Sequence, residues 1–212
     1  MPRWIIVLLA VALSALIWAA KGGTAAPAAQ AAAGQAPFRC LLPPLASPVE
    51  PLQSEVPAQM QPFLHGDATV TPLAGFSIQA RVLGREDYQF DDGAAFSPTD
   101  LALGWSRMAD PLNYRRLEIS QSGRWYRYRW GGEGPPLPLQ EIIRSSANMH
   151  LIPADESVAQ ALARVRPDQT VRLQGWLVEV RRENYVWRSS MTREDSGAGA
   201  CELIYVCAVT SF

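Results

Sequence analysis

The chain opens on an unbroken apolar run, residues 4–20 (WIIVLLAVALSALIWAA), with one serine and no charge. Met1-Pro2-Arg3 precedes it and Lys21 follows. As a helix the run reaches roughly 26 Å, near the thickness of a bilayer's hydrocarbon core, with Trp4 and Trp18 near its ends, where rings favour the interface. The pattern predicts a transmembrane anchor over 1–21. A cleaved signal peptide is the alternative, because small residues around Ala19-Ala20 and Gly23-Thr24-Ala25-Ala26 suit a peptidase. Everything downstream is then expected outside the cytoplasm.

After the run the periodicity disappears. Residues 22–72 are rich in Ala, Pro and Gln, and frequent proline forbids continuous helix or sheet, so a Pro/Ala-rich disordered tether is expected, within which the less polar stretch 38–45 could dock on the domain. Residues 73–212 are expected to form one β-rich globular domain. Period-two alternation predicts a strand over 75–83. Ser97-Pro98-Thr99-Asp100 has the form of a helix start and predicts a short helix carrying Leu101, Leu103 and Trp105. Residues 116–121 and 124–130 form an expected hairpin around Ser122-Gly123. Residues 155–165 place Val158, Ala161, Leu162 and Val165 on one helical face. Strands follow over 170–181, 185–189 and 202–209. The expected fold is mainly β (α+β): a partly closed antiparallel β-barrel or curled sheet with two short helices, an architecture that manages exposed strand edges.

Composition narrows the function classes. The net charge is −1, from 19 basic and 20 acidic residues, so nothing suggests a nucleic-acid partner. Three cysteines are too few for a disulfide scaffold. Cys201 and Cys207, on one expected strand, would lie about 20 Å apart, beyond bridging range. A bridge would therefore need Cys40, within the tether, and the preferred reading is free, buried cysteines. His65 and His150 are far apart in sequence, and no CxxC or HExxH motif occurs. No metal site and no cofactor is expected.

Three segments carry candidate chemistry. In the first, 145–153 (SSANMHLIP), His150 could serve as base to a Cys201 nucleophile, since an imidazole beside a thiol accepts its proton. Arg188 or Arg193 would then stabilise an oxyanion. The competing reading is a core cysteine and a structural histidine. The second, 187–202, is a polar loop between apolar strands, longer than a tight hairpin needs, and such loops on rigid sheets commonly bind ligands. The third, 124–130 (RWYRYRW), mixes rings and guanidinium on both faces, either a stacking platform or a half-buried strand with snorkelling side chains. The binding candidates are Arg188, Ser190, Arg193, Asp195, Trp125 and Tyr128.

The motifs HLIPA, VRLxGWLVEV and WRSSxTRxDxGxGACExIYV, spread over most of 76–206, resemble a family of uncharacterised bacterial envelope proteins with an N-terminal hydrophobic segment. The resemblance implies a location: a single-pass protein of the bacterial inner membrane with its C-terminal domain in the periplasm, or a secreted protein. The expected partners are the membrane, through the N-terminal helix, and an envelope protein or glycan. An anchor, a barrel and a His preceding a late Cys are also similar to sortase-type transpeptidases. Gly199-Ala200-Cys201 departs from their TLxTC motif, however, and no Arg follows Cys201. The Ser-x-Gly-Cys motif of L,D-transpeptidases is not matched either, so neither comparison assigns a catalytic role. The expected function is a non-enzymatic binding or structural module. The alternative is a cysteine-dependent transpeptidase or hydrolase using Cys201 and His150.

Overall fold

The structure, a computed structural model, describes residues 40–46, 50–192 and 199–212. The expected anchor at 1–21 and the first part of the tether, 22–39, lie outside the described residues. The described chain belongs to one compact unit, Arg39–Phe212. No helix among the described residues is long and apolar enough to cross a membrane.

The strands are β1 (Leu52–Ser54), β2 (Phe63–His65), β3 (Ala68–Asp87), β4 (Thr99–Gly104), β5 (Leu117–Ser122), β6 (Trp125–Trp130), β7 (Ser146–Pro153), β8 (Thr170–Arg182), β9 (Tyr185–Arg188) and β10 (Glu202–Ser211). The α-helices are α1 (Pro111–Tyr114), α2 (Leu139–Ser145) and α3 (Glu156–Arg164). Strands β3, β4, β7, β10 and β8 follow one another around a ring, and β8 returns to β3. The pairings are antiparallel except β7–β10, which is parallel. The ring is not a closed barrel. Strand β3 pairs with β8 over 69–81 and with β4 over 81–87, so both neighbours flank it only at Arg81. The fold is thus mainly β with a ring-like sheet.

Inside the ring lies an apolar core that includes Phe76, Ile78, Leu101, Leu103, Met149, Leu151, Leu173 and Ile204. Helix α3, capped by the Asp155 side chain at Val158 N–H, adds Val158 and Leu162. A second cluster (Met108, Tyr114, Leu117, Leu137, Ile142) packs against Ile119 and Tyr128 of the β5–β6 hairpin.

Three segments depart from the sequence expectation or extend it. Residues 99–104 form strand β4, not a helix. Both edges of this segment pair, with β3 and with β7, and tertiary pairing overrides the local helix-start signature. Residues 146–153 form β7, whose first seven residues are all buried, so no exposed face leaves an alternating pattern to read. The third change concerns residues 40–72, which carry β1, β2 and the start of β3. Residues 40–44 lie across the outer face of the β3–β8 pair. Trp176 Nε1 donates to Leu41 O (2.9 Å), Gln174 Nε2 to Pro43 O (2.9 Å) and Ser77 Oγ to Pro44 O (2.7 Å). Cys40 and Cys207 are joined in a disulfide, with Cα atoms 5.5 Å apart, instead of remaining free. The geometry excludes Cys201–Cys207 as argued from spacing, but the strap brings Cys40 within bridging range.

Candidate functional site

Strand alternation gives β4 and β7 two buried faces. Leu101, Leu103, Ala147, Met149 and Leu151 point into the core. The opposite face carries Asp100, Asn148 and His150, at 0%, 2% and 3% exposure. Register places Asp100 opposite His150 and Ala102 opposite Asn148. A polar face this deeply buried is costly unless its groups are satisfied.

They are satisfied by one another and by Arg124. Asp100 Oδ2 accepts from His150 Nδ1 (2.9 Å) and from Asn148 Nδ2 (2.9 Å). Asp100 Oδ1 accepts from Arg124 Nη1 (2.9 Å). Arg124 also donates to both oxygens of Asp91, at 3.0 and 2.7 Å, and to Ser97 O at 2.8 Å. Its guanidinium lies 3.7 Å from the Tyr88 ring centre, a cation–π distance. Gln121 Nε2 donates to Asn148 Oδ1 at 2.8 Å.

Arg124 is delivered by the hairpin turn. Gly123 and Arg124 have φ of 56° and 69°, the two left-handed central residues of a type I′ turn. Glycine accepts this conformation freely and arginine does not. The turn therefore holds Arg124 in a less favoured backbone state while its side chain reaches Asp100. Burial works against the Arg124 cation, but Asp91 and Asp100 outweigh it and raise its pKa. Hydrogen bonding from Arg124 holds the Asp91 carboxyl below its ordinary value. Burial, reinforced by Asp100, pushes the Tyr88 hydroxyl up to about 12.

This network forms part of the wall of a cavity of about 450 Å³, lined by Asp91, Asp92, Gly93, Arg124, Trp125, His150, Tyr185, Trp187, Arg188, Gly199 and Cys201. Trp187 covers the His150 ring at 4.7 Å between centroids. Gly93 is needed here, because a Cβ at that position would sit 2.7 Å from the Trp187 ring. The base of the 190–201 loop is pinned. Ser190 N–H donates to Cys201 O (3.0 Å), and Leu203 N–H donates to Ser189 Oγ (3.0 Å).

The structure brings together His150, Cys201, Arg188 and Trp125, which sequence reasoning had placed in three separate segments. Arg188 lines the cavity while donating to Glu179 Oε2 (2.8 Å). Ser190 is buried and its hydroxyl holds its own loop, donating to Thr192 O (3.0 Å) and accepting from Thr192 N–H (3.2 Å). Tyr128 lies away from the cavity, against the second cluster. Arg193 and Asp195 lie outside the described residues. Sequence reasoning missed Asp100 and Asp91, and read Arg124 only as part of an aromatic strand. The pertinent signal was Gly123-Arg124 at a two-residue turn, which aims a long cation back over the sheet. Comparisons with family models, curated proteins and solved structures found no match to this chain.

Proposed function

We propose that the protein is an extracytoplasmic binding module of the bacterial envelope whose cavity over β4 and β7 takes a neutral saccharide chain. The observation that carries this reading is the wall chemistry. Trp125, Tyr185 and Trp187 supply ring faces, while Arg124 and Arg188 are each held by carboxylates. Ring faces pack against the C–H faces of sugars, and fixed guanidinium–carboxylate pairs offer planar donors and acceptors to hydroxyl groups. Neither arginine that lines the cavity lacks a carboxylate, which disfavours a polyanion.

Two further observations support it. The ring order, with the first strand long and shared and a helix between the third and fourth ring strands, follows the plan of five-stranded oligonucleotide/oligosaccharide-binding barrels. There, ligands lie over the second and third strands between the 1–2 and 4–5 loops. The cavity has that position, between loop 88–98 and residues 185–188 and 199–201. This likeness bears on where a ligand sits, not on which ligand it is. The Cys40–Cys207 disulfide belongs to an oxidising compartment, in keeping with an N-terminal membrane segment that exports the domain.

The test is isothermal titration of the chain with N-acetylglucosamine oligomers, together with cosedimentation on isolated peptidoglycan. Saturable binding weakened at least tenfold by Trp187→Ala supports the reading. Binding indifferent to Trp187→Ala, or no binding to either probe, refutes it.

A further inference from the structure

We infer that the same cavity carries an acyl-transfer centre, with Cys201 as nucleophile, His150 as its base and Asp100 as the residue that positions the imidazole. Its ester substrate, an O-acylated saccharide, rests on the binding reading above; the thiol chemistry does not. The Nδ1 atom of His150 faces the Asp100 carboxylate at 2.9 Å. That carboxylate is also the ion-pair partner of Arg124 and can only accept, so Nδ1 carries the proton and Nε2 keeps its lone pair. The start of β10 supplies the nucleophile. His150 is in register with Leu203 across the parallel β7–β10 pair. Cys201 immediately precedes β10, which begins at Glu202, and both Cys201 and His150 line the cavity. Trp187 over the imidazole limits its access to water. Cys201 is outside the disulfide, whereas the other two cysteines are paired.

The step balances without a co-reactant other than water. Nε2 takes the thiol proton, and the sulfur bonds to the ester carbonyl carbon. The bond from that carbon to the sugar oxygen breaks, and His150 returns the proton to this oxygen, leaving a thioester on Cys201. Water, giving a proton to His150, then releases the carboxylic acid and restores the thiol. Among the described residues, the charged and titratable groups around this centre include Asp100 on β4, His150 on β7, Arg124 at the hairpin turn, Asp91 and Asp92 on the 88–98 loop, Tyr185 and Arg188 on β9, and the buried Glu202 that follows Cys201 on β10.

With Cys40 and Cys207 bridged, alkylation of the full chain by iodoacetamide under non-reducing conditions reports on Cys201. The expected rate stays nearly constant from pH 8 down to about 6, whereas an ordinary thiol slows about tenfold per pH unit below about 8.5. The variant H150Q should slow labelling at pH 6 at least tenfold, and D100N should move the pH profile toward that of an ordinary thiol. p-Nitrophenyl acetate should leave one acetyl group on the wild type, seen by intact mass, and none on C201A. An ordinary-thiol pH profile in the wild type overturns the inference even if H150Q fails to fold. So does labelling only after unfolding, or rapid alkylation without an acetyl adduct. Failure to bind saccharide, with an activated thiol and an acetyl adduct retained, overturns the binding reading alone.

Discussion

The two faces of β4 and β7 are equally buried and chemically opposite. On one, Leu101, Leu103, Met149 and Leu151 interdigitate with the ring core. On the other, Asp100, Asn148 and His150 form a closed polar network with Arg124. An apolar second face under the hairpin would stabilise the sheet at least as well, because replacing a buried ion pair with packed hydrocarbon is often neutral or favourable. The polar face is therefore not explained by stability, and it lies beneath the cavity. The contrast separates what the fold requires from what the site requires.

The sharpest test of that separation compares adjacent residues on β4. Asp100→Ala strips the acceptor from Arg124, Asn148 and His150 and should cost about 3–5 kcal/mol. Leu101→Ala leaves a core cavity and should cost about 2–5 kcal/mol. Urea denaturation measures both. Saccharide affinity, measured on whatever remains folded, should vanish for Asp100→Ala and survive in Leu101→Ala. Equal affinities in the two variants would erase the distinction between the faces.

Next in size is the strap. Replacing Cys40 and Cys207 with serine should cost about 2–4 kcal/mol, read from the denaturation midpoint, with saccharide binding unchanged. The strap crosses the β3–β8 face, away from the cavity. In limited proteolysis of the oxidised protein the resistant core should retain residue 40.

The hairpin offers a smaller contrast within one strand. Trp125 lines the cavity and Tyr128 packs on the second cluster. Trp125→Ala should weaken saccharide binding several-fold with a stability change under about 1 kcal/mol. Tyr128→Ala should lose about 1–3 kcal/mol and leave binding intact. The reverse pattern would move the site onto the outer hairpin.

These same elements mark how much the sequence disclosed. The β5–β6 hairpin and α3 were legible because each carries its own local signal: Ser122-Gly123 at a turn, and Asp155 capping an amphipathic stretch. Strand β4 was not, because Ser97-Pro98 imitates a helix start while the segment's conformation is decided by partners distant in sequence. Strand β7 hid its period for a different reason: both its faces are covered. His150 and Cys201 were visible as chemically able residues, but their common cavity depends on the parallel β7–β10 pair, which no local pattern encodes. The low polarity of residues 38–45 suggested that this part of the tether could dock on the domain, but not where or through which groups. Their anchoring comes from backbone carbonyls accepting from Trp176, Gln174 and Ser77, and main-chain acceptors leave no trace in composition.

The smallest expected effect is on pH dependence. Asp91 has a folded pKa held below its ordinary 3.8 by Arg124. Its ion pair therefore contributes stability above that value, and the contribution is lost as pH falls through the depressed pKa. Asp91→Asn should flatten the acid limb of the stability curve below about pH 4 without altering the neutral plateau's shape. Because Asp91 is partly exposed, the change should be modest.

The most direct measurement of the central claim uses the chain's two histidines. His150 lines the cavity beneath Trp187, and His65 lies on β2 against Tyr205. In NMR titration with N-acetylglucosamine oligomers, the imidazole C–H signals of His150 should shift saturably while those of His65 stay fixed. A saturable shift at His65 with His150 unmoved would contradict the assignment of the site to the polar face of β4 and β7.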